Sequence, residues 1–169
     1  KWDLDTPSLC VDLDALEANL ATMQQTVSRN GIASRPHAKT HKSPAIARLQ
    51  LENGSVGICT AKVSEAEIMV AAGIESVLIT SPVVTKEKID RVIELAKTSS
   101  GLRIVVDQKK NVRDFDEAAA AAGIVLHVLI DLNVGTDRTG VAMGKPALAL
   151  ARLIEDKKAL ALNGLQAYA

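Results

Sequence analysis

Aromatic side chains are scarce: one Trp, one Tyr and one Phe make up 2% of the 169 residues. So few flat rings leave no stacking platform for single-stranded nucleic acid, and a formal net charge of +0 leaves no broad basic field for a phosphate backbone. No nucleic-acid partner is expected. No apolar run approaches membrane-spanning length, and the first residues, Lys1-Trp2-Asp3-Leu4-Asp5, lack the apolar core of a secretory signal. A soluble, cytoplasmic protein with no membrane partner is expected. The two cysteines, Cys10 and Cys59, lie in apolar, strand-like contexts without CxxC spacing, which predicts buried reduced thiols rather than a disulfide or metal site.

What is present is a core-forming composition, 47% hydrophobic and 24% charged, enough for one packed domain. Short β-rich runs alternate with stretches of helical period. A strand is expected over 8–11, and Asp12 or Asp14 can cap a helix that carries Leu13, Leu16, Leu20 and Met23 on one face. Further strands are expected at 33–39, 57–60, 76–80, 102–106, 125–132 and 160–168. Between them the period predicts helices over 44–52, 63–72, 86–97, 111–122 and 146–156. Pro44 suits a first helical turn, and Gly73 and Gly123 suit helix stops.

Regular βα alternation with short right-handed crossovers implies a parallel sheet covered by helices. A doubly wound sheet that binds a dinucleotide would carry a GxGxxG turn, and none is present. A (βα)8 TIM-type barrel places polar residues where strands end, the positions of Lys39, Thr60, Asp107 and Arg138. The α/β barrel is therefore the expected fold. Only six barrel strands can be counted from residue 33 onward, so residues 1–169 are expected to be the N-terminal part of a barrel domain cut to about six βα units.

The densest polar feature is Arg35-Pro36-His37-Ala38-Lys39-Thr40-His41-Lys42. If this stretch is extended, Arg35, His37, Lys39 and His41 share one face, which needs an anion such as a phosphorylated cofactor or a carboxylate substrate. Cationic neighbours on both sides of Lys39 favour a nucleophilic amine, as a Schiff-base lysine requires. The plain alternative is a set of exposed loop charges facing ordinary carboxylates. His37 and His41 have the spacing of a helical zinc pair, but Pro36 disfavours a helix and no HExxH glutamate lies between them. His127, inside an apolar strand, is expected to be a hydrogen-bonded core histidine, and Glu65 and Glu67 to suit a helix N-terminus.

These motifs resemble those of the fold type III, alanine-racemase-like pyridoxal-phosphate enzymes, within them the D-threonine aldolase and D-serine dehydratase group. The likeness rests on Asp5-Thr6-Pro7-Ser8-Leu9-Cys10-Val11-Asp12 with the helix that follows, and on the octapeptide around Lys39. Asp131-Leu132-Asn133-Val134-Gly135-Thr136-Asp137-Arg138-Thr139-Gly140 and Gly164-Leu165-Gln166-Ala167-Tyr168 carry it further. The resemblance implies that Lys39 is the catalytic residue that forms the Schiff base with pyridoxal 5'-phosphate. It also implies cofactor contacts from Arg138 at the phenolic oxygen and from Tyr168 on the ring, with His37 and Arg35 beside them. Arg138 could otherwise be half of a surface pair with Asp137, and Tyr168 a half-buried strand-end tyrosine. The implied substrate is a small D-amino acid, and the implied reaction is D-threonine aldol cleavage. The alternatives are D-serine or 3-hydroxyaspartate dehydration, or a non-catalytic cofactor-binding barrel. A divalent metal (Mn, Mg or Zn) and the phosphate-binding loop are implied beyond this chain, together with a homodimer. A C-terminal β domain absent from this chain is implied too, against which residues 1–12 would pack as a strand-like lead-in.

Overall fold

The computed structural model describes residues 3–169. Six strands form one wholly parallel sheet: β1 (Ile58–Thr60), β2 (Val77–Ile79), β3 (Arg103–Val106), β4 (Leu126–Asn133), β5 (Val141–Ala142) and β6 (Leu160–Ala167). They lie in chain order from β1 to β4, with β6 on the far side of β4. The two-residue β5 takes up the ladder past the end of β3, too short for its period to be seen in sequence.

The helices are α1 (Leu13–Arg29), α2 (Pro44–Glu52), α3 (Val63–Ala71), α4 (Lys86–Thr98), α5 (Lys109–Ala121) and α6 (Lys145–Glu155). Pro44 opens α2 behind the Ser43 cap, and Gly73 and Gly123 follow α3 and α5 at φ values of 83° and 67° that a side chain would resist. Consecutive helices from α3 to α6 pack as neighbours over one face of the sheet. Strand alternation shows why. Val77, Ile79, Ile104, Val106, Val128 and Ile130 point into the helical layer and share one core with Val92, Ile93, Phe115, Leu150 and Ile154. Leu78 and Val105, one residue out of phase, turn to the opposite face. Helices confined to one face are the winding of a barrel wall, since a doubly wound sheet is covered on both. Among the described residues no helix is long and apolar enough to cross a membrane.

Three expectations need correction. Residues 8–11 form no strand: Leu9 is fully exposed at 102%, and among the described residues no neighbouring strand buries it or bonds its backbone. The lead-in over 3–12 is exposed and irregular, and Lys1 and Trp2 lie outside the described residues. Cys10 is therefore an exposed thiol, and only Cys59 is half-buried. On α1, Asp12 caps the helix by accepting the Ala15 N–H at 3.0 Å, but only Leu16 and Leu20 of the expected apolar face are half-buried, while Leu13 and Met23 are exposed.

The segment 33–39 is the third correction. Val56 N–H donates to Ser34 O at 2.9 Å, Cys59 N–H to Pro36 O at 2.8 Å and Ala38 N–H to Cys59 O at 2.8 Å, so the chain runs parallel to β1 as far as a bridge between His37 and Cys59. There it turns, and Lys39 lies in the turn rather than on a strand face. Phe115, the chain's one phenylalanine, is 0% exposed at the centre of the core. Phe115→Ala is expected to cost about 3–5 kcal/mol in urea unfolding, and a loss under 1 kcal/mol would show that the site collapses around the cavity.

Candidate active site

Parallel strands bring their C-terminal ends to one rim, and the turn holding Lys39, the end of β6 and the loop after β4 meet there. The turn is closed by Lys42 N–H donating to Ala38 O at 2.7 Å, with Lys42 itself at φ 50°. Tyr168 lies just past β6, and its ring centroid is 5.8 Å from Lys39 Nζ and 5.6 Å from Arg138 Cζ. Both distances fall within the range of cation–π attraction. The structure thus brings together three of the five residues singled out from sequence, two cations on one aromatic ring.

Arg138 is held by its loop rather than by an ion pair. Asp137, its neighbour, accepts from Asn133 Nδ2 at 2.8 Å, and among the described residues Arg138 forms no salt bridge. The alternative of an Asp137–Arg138 surface pair is not what this loop forms. Its descending arm is clamped instead: Thr139 Oγ1 donates to Asp131 Oδ2 at 2.8 Å, and Gly140 N–H to Asp107 Oδ2 at 3.0 Å. Gly140 has φ 101°, and a Cβ there would strike the Asn133 N and Leu132 backbone.

Asp131 is 3% exposed and accepts a second bond at Oδ1, from Gln166 Nε2 at 2.7 Å. Gln166 Nε2 also donates to Thr80 O at 2.9 Å, and the Thr80 hydroxyl meets His37 Nε2 at 3.1 Å. His37 Nδ1 in turn accepts the Lys39 N–H at 3.2 Å. A continuous chain of polar contacts therefore joins the Arg138 loop, the strand before Tyr168 and the turn of Lys39. Burial is the main cause that lowers the His37 pKa, with the Lys39 charge adding to it and Glu65 opposing.

Arg35 stands apart. It lies at the N-terminal edge of the sheet, where Nη1 donates to Ser76 Oγ at 3.0 Å and to Ser76 O at 3.3 Å, so the predicted single cationic face does not form. Burial pulls its pKa down, and the guanidinium fills space that Gly57 leaves open, since a Cβ at Gly57 would collide with Arg35 Nη1. Lys42 pairs with Glu65 at 3.7 Å, and Glu65 also accepts the Ala61 N–H at 2.9 Å. Glu67 binds Arg91 on the outer surface, and the hydrogen bonds from that guanidinium lower its pKa. Thr60 turns into the helical layer and gives the site only its carbonyl oxygen. His127 lies on the inner face, and among the described residues its buried Nδ1 has no partner, contrary to the expected hydrogen-bonded core histidine. Thr80, Asp131, Thr139 and Gln166 were not among the sequence candidates. Asp131 alone left a signal, as a carboxylate inside the otherwise apolar run 128–132. A groove lies elsewhere, between α4 and α5 on the outer layer, lined by Ile89, Asp90, Lys97 and Asp114.

Asp131→Leu leaves the Thr139 hydroxyl and the Gln166 amide without their acceptor, and should cost about 3 kcal/mol in urea unfolding. Asp131→Asn, which retains an acceptor oxygen, should cost less. Equal losses would show that the two bonds carry no stability.

The family described as "Alanine racemase, N-terminal domain" matches residues 11–169. The D-threonine aldolase of Arthrobacter sp is 42% identical over 165 residues, which cover 98% of this chain and 43% of that protein. The crystal structure of D-threonine aldolase from Filomicrobium marinum superposes with a TM-score of 0.94 at 44% identity, over 97% of this chain and 44% of that one. The D-threo-3-hydroxyaspartate dehydratase from Delftia sp. HT23 gives a TM-score of 0.89 at 29% identity, over 98% and 44%. The chain spans less than half the length of these relatives. Its one-sided helical layer and its parallel strands accord with the family match, and the chain belongs to the alanine racemase N-terminal domain family of fold type III pyridoxal-phosphate enzymes.

Proposed function

We propose that this chain forms the cofactor-bearing part of a pyridoxal-phosphate-dependent lyase for D-3-hydroxyamino acids, whose reaction is cleavage of D-threonine to glycine and acetaldehyde. The observation that carries this reading is the convergence of Lys39 Nζ and the Arg138 guanidinium on the Tyr168 ring. A primary amine, a guanidinium without a carboxylate and a flat ring suit a planar, anionic aldehyde such as this cofactor.

In that reading Lys39 Nζ is the atom that bonds the cofactor, Tyr168 offers its ring as a face for the pyridine, and Arg138 keeps an anionic ring oxygen charged and oriented. His37, neutral and bonded to the Lys39 N–H, holds the turn rather than a charge. Arg35, tied to Ser76, has no part in it. When bound, pyridoxal phosphate supplies an electron sink for the carbanion that forms at the substrate α carbon. Asp131 fixes Thr139 and Gln166, so Arg138 and Tyr168 are held in place before substrate arrives.

Cleavage of the Cα–Cβ bond needs the β-hydroxyl proton removed, and a divalent ion, if bound, would supply a lowered hydroxyl pKa. Among the described residues no group of three or more His, Cys, Asp or Glu could hold such an ion, so its ligands are assigned outside them. A second reading, loss of the hydroxyl to give a 2-oxo acid, is favoured by the likeness to the Delftia dehydratase. The higher identity to D-threonine aldolases supports cleavage instead.

Incubation of the native protein with D-threonine is expected to yield glycine and acetaldehyde; 2-oxobutanoate with ammonia would establish the dehydratase, and no turnover of any D-3-hydroxyamino acid would defeat both. Lys39→Ala should reduce turnover to background. A strong chelator should abolish activity and added Mn, Mg or Zn restore it; activity indifferent to chelation would remove the metal from the account.

A further inference from the structure

The turn that carries Lys39 is tight and strained, and its backbone donors find unusual acceptors. Lys42, which closes it, sits at φ 50°, a left-handed conformation that a side chain resists. The Lys39 N–H lies at an exposed position and the Ser43 N–H at a part-buried one, where a donor needs a partner. The Lys39 N–H finds His37 Nδ1 at 3.2 Å, and the Ser43 N–H finds His41 Nδ1 at 3.0 Å. Each histidine thus accepts the backbone donor two residues ahead of it, one at the start of the turn and one where it enters α2.

We propose that His37 and His41 are a matched pair of positioning residues, two neutral imidazoles whose Nδ1 atoms brace the Lys39 turn and release it on protonation. A ring nitrogen accepts a hydrogen bond only when it carries no proton, so both rings must place their proton on Nε2. For His37 the surroundings demand the same tautomer. Nε2–H donates to the Thr80 hydroxyl at 3.1 Å, which is free to accept because it donates its own proton to Thr60 O at 3.0 Å. For His41, Gln50 of α2 is close enough to raise the ring's pKa, and among the described residues neither the buried His41 Nε2 nor the buried Gln50 Oε1 has another hydrogen-bond partner, which leaves that oxygen suited to face an N–H on Nε2.

The charged groups around the pair agree. Lys39, on the turn itself, opposes a proton on His37; Glu65, from α3, favours one but is shared with Lys42 and the Ala61 N–H. β1 contributes Cys59, whose thiol burial keeps neutral, and α2 contributes the uncharged Gln50. Burial is the largest influence on both histidines and lowers the pKa of each. The sign follows: the native state binds fewer protons than the unfolded chain. The brace is therefore complete above the ordinary histidine value of about 6.5 and is lost as pH falls through the lowered pKa values of the two rings in the folded protein.

The role of the braced lysine rests on the cofactor reading above, whereas the brace itself is visible without cofactor. In native protein labelled with 15N-histidine, both rings should appear as neutral Nε2–H tautomers at pH 7, each assigned by its substitution. A proton on Nδ1 of either ring would overturn the proposal. Function is read separately from cofactor retention. His41→Ala should weaken retention roughly fivefold to tenfold, the worth of one part-buried hydrogen bond from a backbone N–H. His41→Asn should restore it, because an Asn carbonyl accepts the N–H two residues on in the manner of an Asx turn, and it should remove one proton from the acid-induced loss of cofactor. If Asn and Ala behave alike, imidazole acts by bulk alone and the brace is refuted. If the protein carries no pyridoxal phosphate yet both tautomers are as stated, the brace stands and the reading of Lys39 falls.

Discussion

The carboxylate of Asp131 joins the parts of this site that lie far apart in sequence. Through Oδ2 it holds Thr139, next to Arg138, and through Oδ1 it holds Gln166, two residues before Tyr168. Gln166 reaches on to the Thr80 carbonyl, and the Thr80 hydroxyl meets His37 beside Lys39. A buried carboxylate is costly unless its lone pairs are filled, and here both oxygens are filled by groups that belong to the site. The constraint acts in both directions: the site elements keep Asp131 satisfied, and Asp131 keeps them in register.

That constraint explains a division of labour among the polar residues. Those at the rim, Lys39, Arg138 and Tyr168, are exposed and meet only through the aromatic ring, so they remain available to a ligand. Those beneath, His37, Thr80, Asp131, Thr139 and Gln166, spend their hydrogen bonds on one another and on the backbone. Arg35 and Ser76 form a separate contact at the opposite edge of the sheet, a structural use of a cation that sequence alone grouped with Lys39.

The βα alternation was legible because each element has its own signal: Pro44 opens α2, Gly73 and Gly123 end helices, and most strand residues that face the helical layer are β-branched. Lys39, Arg138 and Tyr168 were legible through motifs, but their convergence on one ring is a tertiary fact. What misled was alternation carried too far. The run 33–39 has strand spacing, yet pairing ends at His37, where the backbone turns and imidazoles take over as acceptors. The apolar run 8–11 looks like a strand as well, and stays irregular because strand propensity needs a neighbour. Asp131 and Gln166 were illegible as partners because their meeting depends on the β4–β6 register, which passes through an irregularity between Val128 and Leu129.

The account turns on the identity of the amine that carries the cofactor. Borohydride reduction of the native protein, followed by mass mapping of its peptides, tests this directly. The predicted result is a single pyridoxyl adduct on Lys39; an adduct on any other lysine, or none at all, would contradict it.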